Sequence, residues 1–472
     1  MTDFYLILVV ILGLLAIADL VVGVSNDAVN FLNSAIGSKV VSFKTLMIIA
    51  SLGVAFGAIS SSGMMEVARK GIFNPEMFVF SEIMIIFMAV MITDILLLDV
   101  FNSYGLPTST TVSIVFELLG AAVVISLIKL SALDLSFVEL SDYINTSKAT
   151  QIIFGIFFSV IVAFSIGALI QFISRIILSF KFEEKAKWMG SLFGGIALTS
   201  IFYFIVIKGL KGTPYSENQY DILGGLSISN FIDINLTMIV LLSLLILTIL
   251  SYLFNSVFKL NIYTLIICVG TFALALAFAG NDLVNFIGVP IAGYESFLAW
   301  SASGVSAESF TMEILSEKVS APTFILLGAG IIMVLTLWTS SKAKSVIKTS
   351  IDLSRQEETI ERFEPNFLSR FLVRAGSSFV ENFSKITPKP ILDFVDSQYI
   401  KPKINTLILR KDRPAFDKIR ASVNLVVAAI LISVATSYKL PLSTTYVTFM
   451  VAMGTSLADK AWGSESAVYR VA

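Results

Sequence analysis

Asn26-Asp27-Ala28-Val29-Asn30-Phe31 sets one carboxylate and two amides in the middle of an apolar run. The chain repeats the pattern as Asn281-Asp282-Leu283-Val284-Asn285-Phe286. A second phrase also occurs twice, in the same order: Leu106-Pro107-Thr108-Ser109-Thr110-Thr111 and Leu440-Pro441-Leu442-Ser443-Thr444-Thr445. An unpaired polar group costs several kcal/mol in hydrocarbon, so both motifs must face a cavity lined by protein.

The setting of these motifs is a membrane. Of 472 residues, 56% are hydrophobic and 14% charged, against about 25% charged in soluble domains. The fold class is therefore an all-α polytopic membrane protein, with the lipid bilayer as its main partner. A net charge of −1 offers nothing to nucleic acid. The chain has no histidine, which removes the usual proton shuttle and general base. Its one cysteine, Cys268, excludes an internal disulfide. No base adjoins a serine, so an intramembrane enzyme finds no support and no cofactor is implied. Met1-Thr2-Asp3-Phe4 lacks a basic start, and the apolar run behind it reads as a first span, not a cleaved signal.

Runs long enough to cross roughly 30 Å of hydrocarbon fall near 5–36, 43–62, 76–101, 151–178, 189–207, 236–258, 262–290 and 322–340, with shorter ones at 111–128, 421–438 and 446–458. Gly23 and Gly280 suggest locally irregular helix beside each Asn-Asp motif. Lys and Arg near the span ends set orientation. Arg175, Lys181, Lys185 and Lys187 flank one loop; Lys342, Lys344 and Lys348 open a long polar stretch that Arg410 to Arg420 closes. Both belong in the cytoplasm, in a cell or inner membrane. The acidic segments 131–147 and 213–235, and the N-terminus, fall outside. Arg69 and Lys70 are the exceptions to this topology.

On this count the first Asn-Asp helix runs inward and the second outward. Inverted repeats with broken helices and re-entrant half-helix hairpins are a transporter architecture with the site at the repeat interface. Asp27 and Pro107 lie 80 positions apart, Asp282 and Pro441 159 apart, and the excess of 79 matches the 79 residues from Lys342 to Arg420. The chain divides into repeat one (1–178), linking helices (179–258), the first part of repeat two (259–341), a cytoplasmic insert (342–420) and the second part of repeat two (421–472). The insert reads as a solvated loop under the membrane domain. By its own symmetry the chain ends one or more helices short of a full second repeat.

The Leu-Pro-x-Ser-Thr-Thr phrase predicts a helix break followed by a new helix capped by Ser109 or Ser443. The first N–H groups of such a helix carry about half a positive charge and suit an anion. Hydroxyls of Ser109, Thr110, Thr111, Ser443, Thr444 and Thr445 add donors. A kinked helix that back-bonds its own hydroxyls accounts for the same residues more blandly. Asn26, Asp27 and Asn30, with Asn281, Asp282 and Asn285, offer hard oxygen ligands and one negative charge per copy, which suits a hard cation. The alternative is a buried polar network that ties two broken helices together. Asp19, Asp94, Asp99 and Glu117 also stand in apolar runs, as proton relays, cation ligands or polar residues facing the bundle interior.

With these motifs the chain resembles the inorganic phosphate transporter (PiT) family. Its Gly-Ala-Asn-Asp-Val-Ala-Asn signature is similar to Val24–Asn30 and Ala279–Asn285, and its Gly-Leu-Pro-Val-Ser-Thr-Thr-His to Gly105–Val112 and Lys439–Tyr446. Met65–Ile72 resembles its Glu-Thr-Ile-Arg-Lys-Gly-Ile. The resemblance implies a secondary symporter of inorganic phosphate, coupled to Na⁺ or to protons, and a homodimer. It implies Na⁺ as coupling ion at the Asn-Asp motifs and phosphate at the Ser-Thr-Thr helix starts. Val24 and Ala279 replace the first glycine, and Val112 and Tyr446 the histidine. A sulfate carrier or an anion channel of the same architecture are the alternatives.

Overall fold

The computed structural model describes residues 2–61, 72–203, 216, 218–316, 322–355, 367, 370, 374, 385, 388–401, 413–437 and 442–461. The Arg69–Lys70 exception and most of the Met65–Ile72 resemblance therefore lie outside the described residues, as do Leu440 and Pro441.

The first apolar run forms α1 (Thr2–Asp27) and α2 (Val29–Ser38). The interruption falls at Ala28 and is slight, because Ala28 N–H still reaches Val24 O at 3.0 Å and Leu32 N–H reaches Ala28 O at 3.1 Å. Gly23 is regular helix. It serves packing instead: a Cβ there would collide with the ring of Phe286. The second Asn-Asp motif lies within one unbroken helix of 42 residues, α9 (Ile262–Ser303). Irregular helix beside Gly280 is thus not found. At 1.5 Å per residue α9 runs to roughly 63 Å, twice the hydrocarbon thickness.

Between them, α3 (Phe43–Ser60) starts on Ser42, whose Oγ accepts from Thr45 N–H at 3.2 Å. It crosses α9 closely, since a Cβ at Gly53 or Gly57 would strike the carbonyls of Phe272 and Leu276. Next come α4 (Phe80–Tyr104), α5 (Thr110–Ala132), α6 (Thr146–Leu178), α7 (Ser191–Ile201) and α8 (Ile228–Ser256), the last entered from a small antiparallel pairing of Gln219–Tyr220 with Leu226–Ser227. Of α8 only Ile232 and Ser251 are buried, while Leu241, Leu245 and Ile249 lie bare. A helix apolar on every side and exposed on most of them is satisfied by lipid.

The segment 111–128, read as one of the shorter apolar runs, belongs to α5, whose 23 residues suffice to span by themselves. Its end is secured by Lys129, which reaches Met77 O at 2.9 Å and Glu82 at 3.0 Å. After α9, α10 (Thr323–Thr339) turns by 70° into α11 (Ser341–Leu353). Ser340 Oγ makes this corner: it accepts from Ala343 N–H at 3.1 Å and donates to Ser25 Oγ at 2.8 Å. The opening of the stretch read as a solvated insert is thus a helix that buries Val346, Ile347, Ser350 and Ile351 against the bundle. Farther on, α12 (Lys389–Gln398) buries nothing completely. The chain then forms α13 (Lys418–Ser437) and α14 (Thr444–Ala458).

Among the described residues, seven helices are long and apolar enough to cross a membrane, or eight if α10 and α11 count as one bent span. Two apolar cores hold them. One gathers α2, α3, α13 and the first part of α9; the other gathers α4, α5 and the far part of α9, where Trp300 stacks on Phe80 at 4.6 Å. Both Asn-Asp motifs lie in the first core, and the second abuts it along α1, α4 and α9.

Candidate functional site

The Pro-x-Ser-Thr-Thr phrase folds as its residues dictate. Helix α4 ends at Gly105, in the left-handed conformation with φ 64°, where glycine carries no Cβ penalty. Pro107 cannot continue the helix. Ser109 then caps α5, its Oγ accepting from Val112 N–H at 3.1 Å. The second copy does the same: Ser443 caps α14 and accepts from Tyr446 N–H at 3.0 Å. In each case the cap satisfies the third N–H and leaves those of the two threonines without an acceptor inside the helix.

Those threonines meet the aspartates in a crossed pattern. Asp27 accepts from Thr110 at 2.9 Å and from Thr445 at 2.9 Å. Asp282 accepts from Thr444 at 2.5 Å and from Thr111 at 3.3 Å. Each carboxylate therefore holds the first threonine of its own copy and the second of the other. The asparagines repeat the pattern. Asn30 Nδ2 donates to Thr445 Oγ1 at 3.0 Å and to Asp27 at 3.3 Å, and Asn285 Nδ2 to Thr111 Oγ1 at 2.9 Å and to Asp282 at 3.5 Å. Both aspartates are fully buried. No lysine or arginine occurs in either motif, so the positive ends of α5 and α14 are what oppose the two negative charges.

Asn26 and Asn281, paired by the sequence, do different things. Asn281 donates to Asp282 at 2.8 Å. Asn26 turns away from Asp27: its Oδ1 accepts from Thr108 N–H at 2.8 Å, and its Nδ2 donates to Asn102 Oδ1 at 2.8 Å and Leu106 O at 3.1 Å. It ties α1 to the linker before α5.

Several polar neighbours had no motif to mark them. Thr448 donates to Asn30 Oδ1 at 3.1 Å, Asn33 to Ser350 on α11 at 2.7 Å, and Asn424 on α13 to Ser34 at 3.1 Å. Their only signal was a polar residue within an apolar or amphipathic run. They enclose a void of about 10 Å³ bordered by Asn30, Asn33, Ser350, Asn424 and Thr445, room for about one water. A separate groove of about 750 Å³ between α4 and α5 reaches Thr108, Ser109 and Tyr446. Asp99 lies apart, paired with Lys342 at 2.6 Å across two exposed side chains. Among the described residues no group of three or more acidic, histidine or cysteine side chains is placed to hold a metal. A cation at Asp27 or Asp282 would rest on one carboxylate with amide, hydroxyl and backbone oxygens.

The comparisons with known proteins bear on the fold and the family. A Thermococcus kodakarensis protein named "Putative phosphate permease TK2061" is 26% identical over 320 residues, 65% of this chain and 68% of its own. A solved structure titled "The sodium-dependent phosphate transporter" superposes with a TM-score of 0.60 at 17% identity, over 96% of this chain and 90% of the other. That likeness establishes the shared fold. The Phosphate transporter family model matches residues 23–350, a stretch holding both Asn-Asp motifs and the first Pro-Thr-Ser-Thr-Thr phrase. With two thirds of its length matched, this multi-pass membrane protein belongs to the phosphate transporter family, whose members are transporters and not enzymes.

Proposed function

We propose that the chain moves inorganic phosphate inward together with Na⁺, by alternating access between two repeats of inverted topology. The N-terminus faces outward and the segment 342–420 the cytoplasm. Asp27 and Asp282 hold Na⁺, joined by Asn30, Asn281 and Asn285 once their amides, which here donate to the carboxylates, turn an oxygen to the ion; Asn26 positions the linker before α5. Thr110, Thr111, Thr444, Thr445 and the N–H groups behind the Ser109 and Ser443 caps hold phosphate.

The crossed hydroxyl–carboxylate bonds carry this reading. They suggest how the two bindings couple. A threonine hydroxyl has one proton to donate, and here it goes to an aspartate. Na⁺ at that aspartate takes over its oxygens, and the hydroxyl can turn its proton toward an oxyanion. Without the cation, the anion would compete with two buried carboxylates for the same donors. One Na⁺ about 5 Å from the anion contributes roughly 3 kcal/mol at an effective dielectric of about 20, or about a hundredfold in affinity. A tetrahedral anion exceeds the 10 Å³ void beside Thr445, so release on that side requires α11 or α13 to move.

Uptake of radiolabelled phosphate into proteoliposomes, with and without an inward Na⁺ gradient, tests the proposal. Wild-type accumulation that needs Na⁺ and vanishes in Asp27→Asn supports it. Accumulation driven only by a proton gradient rejects Na⁺ as the coupling ion. Uptake of labelled sulfate in place of phosphate rejects the substrate.

A further inference from the structure

A second buried acidic group lies outside the cluster just described. Asp19 on α1 and Asp94 on α4 are both fully buried. All four of their carboxyl oxygens lack a hydrogen-bond donor. Helices α1 and α4 pack together and set the two carboxyl groups beside each other. Asp19 stands eight residues before Asp27, roughly 12 Å along the helix. Glu117, half-buried on α5, accepts from Ser113 Oγ at 2.7 Å, and Ser113 also adjoins Asp94. Glu117 and Ser113 line the groove between α4 and α5.

We propose that Asp19 and Asp94 form a proton-binding site that shares one proton and exchanges it with the groove through Ser113 and Glu117. Two carboxylates are acceptors only, so they cannot bond to each other unless a proton lies between them. Two like charges side by side at that depth do not both persist. No cation is at hand to pair them. Helices α1, α2, α4, α9 and α10 contain no lysine or arginine. On α5 the one base, Lys129, is engaged with Glu82 twelve positions beyond Glu117. On α11, Lys342 pairs with Asp99; Lys344, Lys348 and Asp352 are its other charged residues. The remaining acidic groups on elements against this site are Asp3, Asp27, Asp282, Glu295, Glu139 and Asp142, which add negative charge only. A dehydrated metal ion wants four or more oxygens, and no three acidic side chains among the described residues are placed to hold one. A proton needs two.

The second half of the chain shows that the fold does not require these groups. Leu274, Ala428, Val447 and Val451 occupy the positions that correspond to Asp19, Asp94, Ser113 and Glu117. The proton site belongs to one half alone, and it is separate from the Na⁺ proposal.

Infrared spectroscopy of the full-length protein in lipid nanodiscs tests it without recourse to transport. The wild type at neutral pH is expected to show the C=O stretch of a protonated carboxyl, shifted in D₂O and lost as pH is raised. Asp94→Asn, and independently Asp19→Asn, should each remove one carboxyl's share of that band, because the introduced amide donates to the remaining carboxylate. Glu117→Gln should keep the band but slow its exchange with D₂O. A wild type without the band, or with a carboxylate band that shifts on adding Na⁺ instead, overturns the proposal. So does a band that is undiminished in both asparagine variants.

Discussion

The two halves of the site agree where they touch and differ behind it. Both helix starts are capped by serine, and both aspartates take one threonine from each copy. Behind that shared face, the residues flanking the first Asn-Asp motif leave room that the second half fills. Phe286 rests on Gly23, whereas its counterpart Phe31 meets Phe278, the residue corresponding to Gly23, at 5.3 Å between ring centres. The far ends of the two capped helices differ more. Helix α5 is held by Lys129 and Glu82, 26% and 22% exposed; α14 is held by Asp459 and Arg175, both fully buried. Arg175 also reaches Asp417 at 2.8 Å and lies 3.7 Å from the ring of Phe180. The hydrogen-bond pattern is shared at the contact face, and the packing differs one layer out.

If the halves are chemically equivalent, Asp27→Asn and Asp282→Asn should each lower phosphate uptake by about a hundredfold or more. Uptake assays in which one variant keeps most of its activity would break the equivalence. The unequal anchors predict unequal stability. Asp459→Ala leaves Arg175 buried without its main partner and should cost about 3–5 kcal/mol, whereas Glu82→Ala should cost about 1 kcal/mol or less. Thermal unfolding of the purified protein in lipid compares them directly. Gly23→Ala should destabilise by about 1–3 kcal/mol through displacement of Phe286, and the companion change Phe286→Leu should restore part of the loss.

Finer effects test the crossing itself. Thr110→Val and Thr445→Val remove donors from the same aspartate, and Thr110→Val and Thr444→Val from different ones. Each single change should cost about 1–3 kcal/mol. In phosphate-uptake assays the first pair should be non-additive and the second nearly additive. Thr448→Val should have the smallest effect, about 1 kcal/mol, because Asn30 keeps its bonds to Asp27 and Thr445. Its counterpart in the first half is Ile114, so that half shows the site forms without this hydroxyl.

Local chemistry was legible in the sequence. Pro107 and Ser109 announced a break and a cap, and both are found. Hydropathy and the doubled motifs announced a transporter of this family. What the sequence could not convey was which half a side chain meets. Helical periodicity assigns a face, and nothing in it distinguishes Thr110 bonding to Asp27 from Thr111 bonding to Asp282. Gly23 was misjudged because glycine signals both irregular backbone and close packing, and only Phe286 decides between them. Helix α11 was hidden because a helix that buries one face beneath the bundle has the composition of a solvated one. Asn102 and Asn424 were missed because a lone amide in an apolar run says nothing of its partner.

The crossing of the threonines turns the site into a seam. Each aspartate is stitched to both halves, so no relative motion of the halves leaves either carboxylate with its present partners. If Na⁺ binds as proposed, a cation that releases those stitches would loosen the joint at the moment it occupies the site. On that proposal ligation and mobility would be two descriptions of a single event, and a protein too firmly sewn would bind without moving.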